Sequence, residues 1–202
     1  MDRFPHLVEG LADQGWAVAE GFLAPEAVAA LAAEVRQLRD AGAFRQAGVG
    51  RGAEHGVRSE VRGDQILWLS EETLTPAQVP YWSAMEALRQ ELNRELFLGL
   101  ASFEAHYAVY PPGAFYRKHL DRFAKSDERT ISSVFYLNEG WSEEKGGQLR
   151  LYLPQGPEGH RDVVPRAGIF AAFRSDSVYH EVLPATDFRF SITAWFRRRS
   201  LL

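Results

Sequence analysis

No cysteine occurs in the 202 residues. That absence removes disulfides, iron–sulfur clusters, thiolate zinc sites and a thiol nucleophile together, and it fits a reducing compartment. No run approaches the roughly 20 consecutive apolar residues of a membrane span. The opening "MDRFPHLVEGLADQG" carries acids and lacks the continuous apolar core of a secretory signal. The expectation is a cytoplasmic chain with no membrane partner. Basic excess is missing too. The formal net charge is −4, which argues against a nucleic-acid partner, since such binders carry a basic footprint. The short run Arg197 to Arg199 reads as a solvated tail. Internal repeats and low-complexity segments are absent. The glycines Gly48, Gly50 and Gly52 lack the G-x-G-x-x-G spacing and strand–helix context of a phosphate cradle.

What is present is a core. Hydrophobic residues make up 46% and aromatics 12%, and the length favours a single domain over residues 1–202. The first hundred residues read as mostly helical. In "LAPEAVAALAAEVRQLRDAG", Pro25 and Gly42 punctuate a helix whose Val28, Leu31, Val35 and Leu38 recur at helical spacing. "TPAQVPYWSAMEALRQELNREL" repeats the pattern with Trp82, Met85, Leu88 and Leu92, a core face. Between them the segment Phe44 to Val61 is Gly-rich and without apolar periodicity, so it reads as a long mobile loop, with the three glycines as its hinge. "QILWL" after it reads as a strand.

The second half changes period. "SFEAHYAVY", "TISSVFYL", "GQLRLYL", "HRDVVP", "GIFAAF", "SVYHEVLP" and "DFRFSITAWFR" are short β-like runs separated by turn residues. Such a block predicts a sandwich or barrel, mainly β with flanking helices. The stretch "FYRKHLDRF" puts His119 and Asp121 two apart, hence on one face if it is a strand. His180, near the end of an apolar strand, is a candidate third partner. Two histidines and a carboxylate with the remaining positions open form the facial triad of non-haem Fe(II) oxygenases. A structural His–Asp hydrogen bond explains the H-x-D pair equally well.

The segment "DFRFSITAWF" alters that balance. Phe188, Phe190, Ile192, Ala194 and Phe196 alternate with Arg189, Ser191, Thr193 and Trp195. If the second set faces a barrel interior, Arg189 is a buried cation in need of a partner. Its planar fork suits a carboxylate, and Thr193 and Tyr136 can add hydroxyl donors. An acidic small molecule running from a metal to Arg189 satisfies all of these groups. A protein acid beside Arg189, or a guanidinium turned out to solvent, remains the plainer alternative.

"YRKHLD", "FYLN", "GGQLRLY" and "HEVLPATDFRFSITAWF" resemble the 2-oxoglutarate- and Fe(II)-dependent dioxygenases. "VRGDQILWL" resembles the oxygen-sensing prolyl hydroxylases and their bacterial relatives within the prolyl 4-hydroxylase branch. The resemblance runs from about residue 15 to residue 197. It implies a distorted double-stranded β-helix, or jelly roll. It implies Fe(II) held by His119, Asp121 and His180, with 2-oxoglutarate as co-substrate, O2, and stimulation by ascorbate. It places the distal carboxylate of 2-oxoglutarate on Arg189, helped by Tyr136 and Thr193. Tyr110 and Tyr116 match tyrosines near the metal, and Leu149 and Trp195 match walls of the pocket. The loop from Phe44 to Val61 matches one that closes over a peptide, with Arg62 and Asp64 bracing its base. The implied reaction is hydroxylation of a prolyl residue in a protein to 4-hydroxyproline, with release of succinate and CO2. Elongation factor Tu is the suggested target, by analogy. A nucleic-acid demethylase, a small-molecule hydroxylase, a zinc hydrolase on the same three ligands and a non-catalytic jelly-roll binding module remain open.

Overall fold

A computed structural model describes residues 4–48, 56, 58, 60–122, 128–153 and 159–199. Among these residues three α-helices, Pro5–Asp13 (α1), Pro25–Asp40 (α2) and Val79–Leu96 (α3), accompany eleven strands. Before α3 lie Trp16–Ala19 (β1), Arg45–Gln46 (β2) and Gln65–Trp68 (β3). After it come Leu100–Tyr110 (β4), Tyr116–His119 (β5), Arg129–Tyr136 (β6), Leu149–Tyr152 (β7), His160–Val163 (β8), Phe170–Arg174 (β9), His180–Val182 (β10) and Arg189–Arg198 (β11). A seven-stranded sheet runs β1-β9-β6-β11-β4-β3-β2, and a four-stranded sheet runs β5-β10-β7-β8. All of these strand pairs are antiparallel.

The helices form where the sequence places them. Pro25 occupies the first turn of α2, Glu26 and Arg39 complement its dipole at either end, and Gly42 follows at φ +71°. The buried stripe of α3 is Tyr81, Ala84, Met85, Leu88 and Leu92, while Trp82 is half-buried against Phe103. These stripes pack on one face of the large sheet, where Phe190, Ile192, Ala194 and Phe196 of β11 meet Phe135 and Phe170. Each large apolar side chain buried there contributes about 1.5–3 kcal/mol. Phe188, outside the strand, stays partly exposed.

The opposite face of the large sheet turns toward the small sheet. A second apolar cluster lies between them, with Val134, Leu149, Leu151, Phe173 and Val182. This is the two-sheet arrangement of the jelly roll. The structure departs from the sequence expectation in two places. The first hundred residues also contribute β1 and β2, short edge strands specified by pairing with β9 and β3 rather than by local pattern. Strand β5 ends at His119, so Asp121 stands in a bend beyond it and not on the same strand face.

Candidate functional site

The register of the small sheet makes the first juxtaposition. His180 of β10 lies directly opposite His119 of β5, and their ring centroids are 4.2 Å apart. The bend after β5 brings the Asp121 carboxylate between them. Its Oδ1 is 3.5 Å from His119 Nε2, and its Oδ2 is 3.4 Å from His180 Nε2. One ligand atom from each residue lies within 4.8 Å of the other two. Cis ligands about 2.1 Å from a common ion stand roughly 3 Å apart, so this spacing suits a shared metal.

The tautomers suit one as well. His119 Nδ1 is 2.7 Å from the Arg117 carbonyl, and His180 Nδ1 is 3.2 Å from the Val178 carbonyl. A carbonyl only accepts, so each Nδ1 carries the proton and each Nε2 presents its lone pair to the cluster. Burial lowers the His180 pKa to about 4, which keeps the ring neutral. Burial alone would raise Asp121, but the attraction to His180 and His119 whenever either ring takes up a proton, and the Ser132 hydrogen bond, hold it well below the usual carboxylate range. Ser132 Oγ donates to Asp121 Oδ2 at 2.7 Å and lies 2.8 Å from Ser175 Oγ. Two imidazoles and one carboxylate, with an open side toward the cavity, are a donor set for Fe(II).

The large sheet builds the other end. Arg189 pairs across the ladder with Tyr110, Ser191 with Tyr136, and Thr193 with both His106 and Val134. Arg189 is only 1% exposed. Its Nε donates to the Gly147 carbonyl at 2.8 Å, and its guanidinium lies 5.0 Å from the ring centroids of both Tyr110 and Tyr136. Among the described residues no acid pairs with it, and its Nη2, the Tyr136 hydroxyl and Ser191 Oγ are buried without a hydrogen-bond partner. Burial pushes the Tyr136 hydroxyl up to about 12, against the pull of the Arg189 charge, so it stays a neutral donor. An unpaired buried cation beside an unpaired hydroxyl costs free energy until an anion arrives. The donors left over fit the carboxylate of 2-oxoglutarate. The "GG" of the sequence makes room: a Cβ on Gly147, which sits at φ +72°, would come within 3.2 Å of Arg189 Cδ. Asn138, from "FYLN", clamps the start of β11 through the Phe190 backbone at 2.7 and 3.0 Å.

A single cavity connects the two ends. His119, Asp121, His180, Arg189, Thr193, Tyr110, Tyr116, Leu149, Trp195 and Arg62 all line it. Tyr136 reaches it through Arg189, and Asp64 through Arg62. Asp64 is fully buried and takes the Arg62 guanidinium at both oxygens, at 2.7 and 2.6 Å. Arg62 also covers the Tyr116 ring at 4.3 Å and reaches toward the Gly48 carbonyl at 3.4 Å. Tyr116 in turn stacks on His119 at 3.6 Å. Of the expected loop from Phe44 to Val61 only residues 44–48, 56, 58, 60 and 61 are described, and hinge residues Gly50 and Gly52 lie outside the described residues. Sequence reasoning missed His106, Phe173, Val134 and Val182 as further lining residues. His106 was legible in principle, because it alternates with Ala108 and Tyr110 on β4. Ser132 and Ser175 carried no local signal.

A model of the 2OG-Fe(II) oxygenase superfamily matches residues 105–197. The chain is 31% identical over 208 residues to the hypoxia-inducible factor prolyl hydroxylase of Caenorhabditis elegans, covering 96% of this chain. It spans 28% of that protein's length, and 46% of human Egl nine homolog 1. Among solved structures, a Pseudomonas putida prolyl-4-hydroxylase is 46% identical with a TM-score of 0.86, covering 98% of this chain and 100% of that one. A prolyl hydroxylase from Trichoplax adhaerens, in complex with a hypoxia inducible factor oxygen degradation domain peptide, is 27% identical with a TM-score of 0.85, over 96% and 88% of the two chains. The chain belongs to the 2-oxoglutarate- and Fe(II)-dependent oxygenase superfamily, in its prolyl hydroxylase branch.

Proposed function

We propose that residues 1–202 act as one catalytic domain that hydroxylates a prolyl residue of a protein to 4-hydroxyproline, consuming 2-oxoglutarate and O2 and releasing succinate and CO2. The carrying observation is the unpaired Arg189 guanidinium in the same cavity as the His119, Asp121 and His180 cluster. A zinc hydrolase on the same three ligands has no use for that buried cation. The branch supports a protein substrate, since one structural relative holds a peptide.

When bound, iron and 2-oxoglutarate together supply the oxidising chemistry that hydroxylates an unactivated C–H bond. The residues supply position and exclusion. His119, Asp121 and His180 would hold the metal. Arg189, with Tyr136 and Thr193, receives the distal carboxylate and fixes the co-substrate along the cavity. Tyr110 lies along the same path. Leu149 and Trp195 close the walls against water, which raises the worth of each charge contact inside. Ser132 holds Asp121 in orientation. Arg62 and Asp64 fix Tyr116 and the start of the Gly-rich segment at the mouth, where a peptide would be gripped.

Elongation factor Tu is the suggested target, ascorbate the expected stimulant, and the cytoplasm the expected compartment. Among the described residues, no helix is long and apolar enough to cross a membrane. The test is direct. Purified protein with Fe(II), 2-oxoglutarate and cell lysate should form succinate and leave single-oxygen additions that map by peptide mass spectrometry to proline. Oxidised lysine, free amino acid or alkylated base, with no hydroxyproline, would overturn the reading.

A further inference from the structure

A second groove, of about 420 Å³, is lined by residues of α1, the end of α3 and the ends of β6, β9 and β11 of the large sheet. Its floor is apolar, with Leu11, Leu96 and Leu98. Its rim is basic. Arg122, Arg174 and Arg198 line it, among the described residues, against a single acid, Asp176. Asp176 is shared, 3.6 Å from Arg122 and 3.2 Å from Arg174, while Arg198 Nε donates to the Leu98 carbonyl. Arg129, also in the lining, is committed to Glu104 at 2.7 Å and adds nothing to the excess. The rim therefore offers two more guanidinium charges than carboxylates, on a chain whose formal net charge is −4.

An apolar edge adds to this. Phe97, between Leu96 and Leu98, is 87% exposed and is the one non-glycine residue at positive φ (52°) among the described residues. A left-handed backbone at a bulky residue is normally avoided, and here it holds an aromatic ring out in solvent. The groove also adjoins the reaction centre. Arg122 directly follows Asp121, and Thr130 and Ile131 of its lining directly precede Ser132, which bonds Asp121. Arg129 covers the ring of Trp195, a wall of the main cavity, at 3.6 Å. Arg122 and Arg129 thus belong to the groove's lining and, at the same time, neighbour Asp121 in sequence and Trp195 in space.

We propose that the groove is a docking site for an acidic, apolar-containing segment of the protein substrate that flanks the target proline. This rests on the prolyl hydroxylase reading and specifies its substrate class. The basic rim steers and registers the acidic segment, and the leucine floor takes its apolar side chains.

The test uses synthetic prolyl peptides flanked by aspartate, serine or lysine around one leucine, on either side of the proline. Binding is read by fluorescence anisotropy and turnover by hydroxyproline formation. Wild type should prefer the aspartate-flanked over the lysine-flanked peptide by about tenfold, mostly in KM, and lose the preference at high salt. The R174E/R198E variant should reverse the order, and R174Q/R198Q should flatten it, both with 2-oxoglutarate turnover in the absence of peptide unchanged. Equal binding and turnover of all flanks by wild type overturns the groove and leaves prolyl hydroxylation standing. Acid-selective binding that R174E/R198E abolishes, without any hydroxyproline, supports the groove and overturns the prolyl reading. Neither selectivity nor hydroxyproline overturns both.

Discussion

Arg62 and Arg189 line the same cavity, both largely withdrawn from water, yet their surroundings are opposite. Arg62 has a fully buried Asp64 at both ends of its fork. Burial works against its charge, and the Asp64 carboxylate more than offsets that, so its pKa stands above the ordinary value. Arg189 has one backbone carbonyl, two aromatic rings and no acid among the described residues. The first guanidinium is satisfied by the protein and serves the structure. The second is left short by the protein, and the proposed function makes it a receptor. The difference shows how a fold can keep a charge in its interior for a ligand's use.

The most severe way to break the cavity is to leave both arginines in place and remove the metal end. Asp121→Ala deletes the only carboxylate of the cluster. Stoichiometric Fe(II) binding and 2-oxoglutarate turnover should fall to background, read by metal titration and succinate release, with the fold retained by circular dichroism. The paired arginine comes next. Asp64→Asn strands the buried Arg62 charge and should cost about 3–5 kcal/mol in urea unfolding. Arg189→Gln should do the reverse. Without 2-oxoglutarate the variant should be as stable as wild type or slightly more so, because an unpaired buried cation is gone. Its co-substrate requirement should rise about 100-fold while metal uptake is spared. Wild type at a 2-oxoglutarate concentration 100 times Kd gains about 2.7 kcal/mol of stability; the variant at that concentration should gain almost none. If Asp64→Asn and Arg189→Gln lower the stability of the ligand-free protein equally, the distinction between the two arginines is lost.

His106 sharpens the comparison through pH. It faces Thr193 across the ladder, is 2% exposed, and lies edge-on to Trp68 at 5.0 Å. Burial lowers its pKa to about 4. The unfolded chain binds a proton below about 6.5 that the folded chain refuses, so stability falls as pH drops from about 6.5 toward 4 and is flat above. The loss from this residue is on the order of 3 kcal/mol across that window. His106→Gln should reduce the slope of that part of the pH–stability curve of the metal-free protein by about half, since His180 titrates over the same range, as measured by urea unfolding at fixed pH. An unchanged slope would mean that His106 titrates normally and is open to water.

Most of the site was legible because its residue types are rare in a core. A histidine and an aspartate two apart, a later histidine in an apolar strand and an arginine facing inward have few structural uses together. Alternation on β11 separated Arg189 and Thr193 from the phenylalanines without coordinates. What the sequence hid depends on cross-strand register. The pairing of His180 with His119 is set by turns and bulges far from either residue. The bend that takes Asp121 off β5 is invisible to a two-residue period. Strand β1 is specified by its partner β9, so its four residues carry no pattern of their own. The isolation of Arg189 was equally hidden, since a sequence cannot show which acid fails to arrive.

The smallest expected effect tests how far the metal end shares the receptor's incompleteness. Ser132 gives its proton to Asp121 Oδ2 and is itself 2.8 Å from Ser175. Asp121 keeps its other oxygen facing His119. Ser132→Ala removes one hydrogen bond to a carboxylate and leaves no buried charge stranded, so unfolding should change by about 1.5–3 kcal/mol, toward the lower end. The free carboxylate can then rotate, and orientation is what a metal ligand needs most. Fe(II) affinity should fall about tenfold, the lower end of what outer partners of metal ligands contribute. The co-substrate requirement at saturating Fe(II) should stay near wild type, because Arg189 and Tyr136 are untouched. A variant that keeps its Fe(II) affinity but loses 2-oxoglutarate affinity would mean that the two ends of the cavity are coupled through β6, which carries both Ser132 and Tyr136. The contrast between a self-satisfied metal end and a ligand-dependent carboxylate end would then have to be replaced by one continuous, jointly organised site.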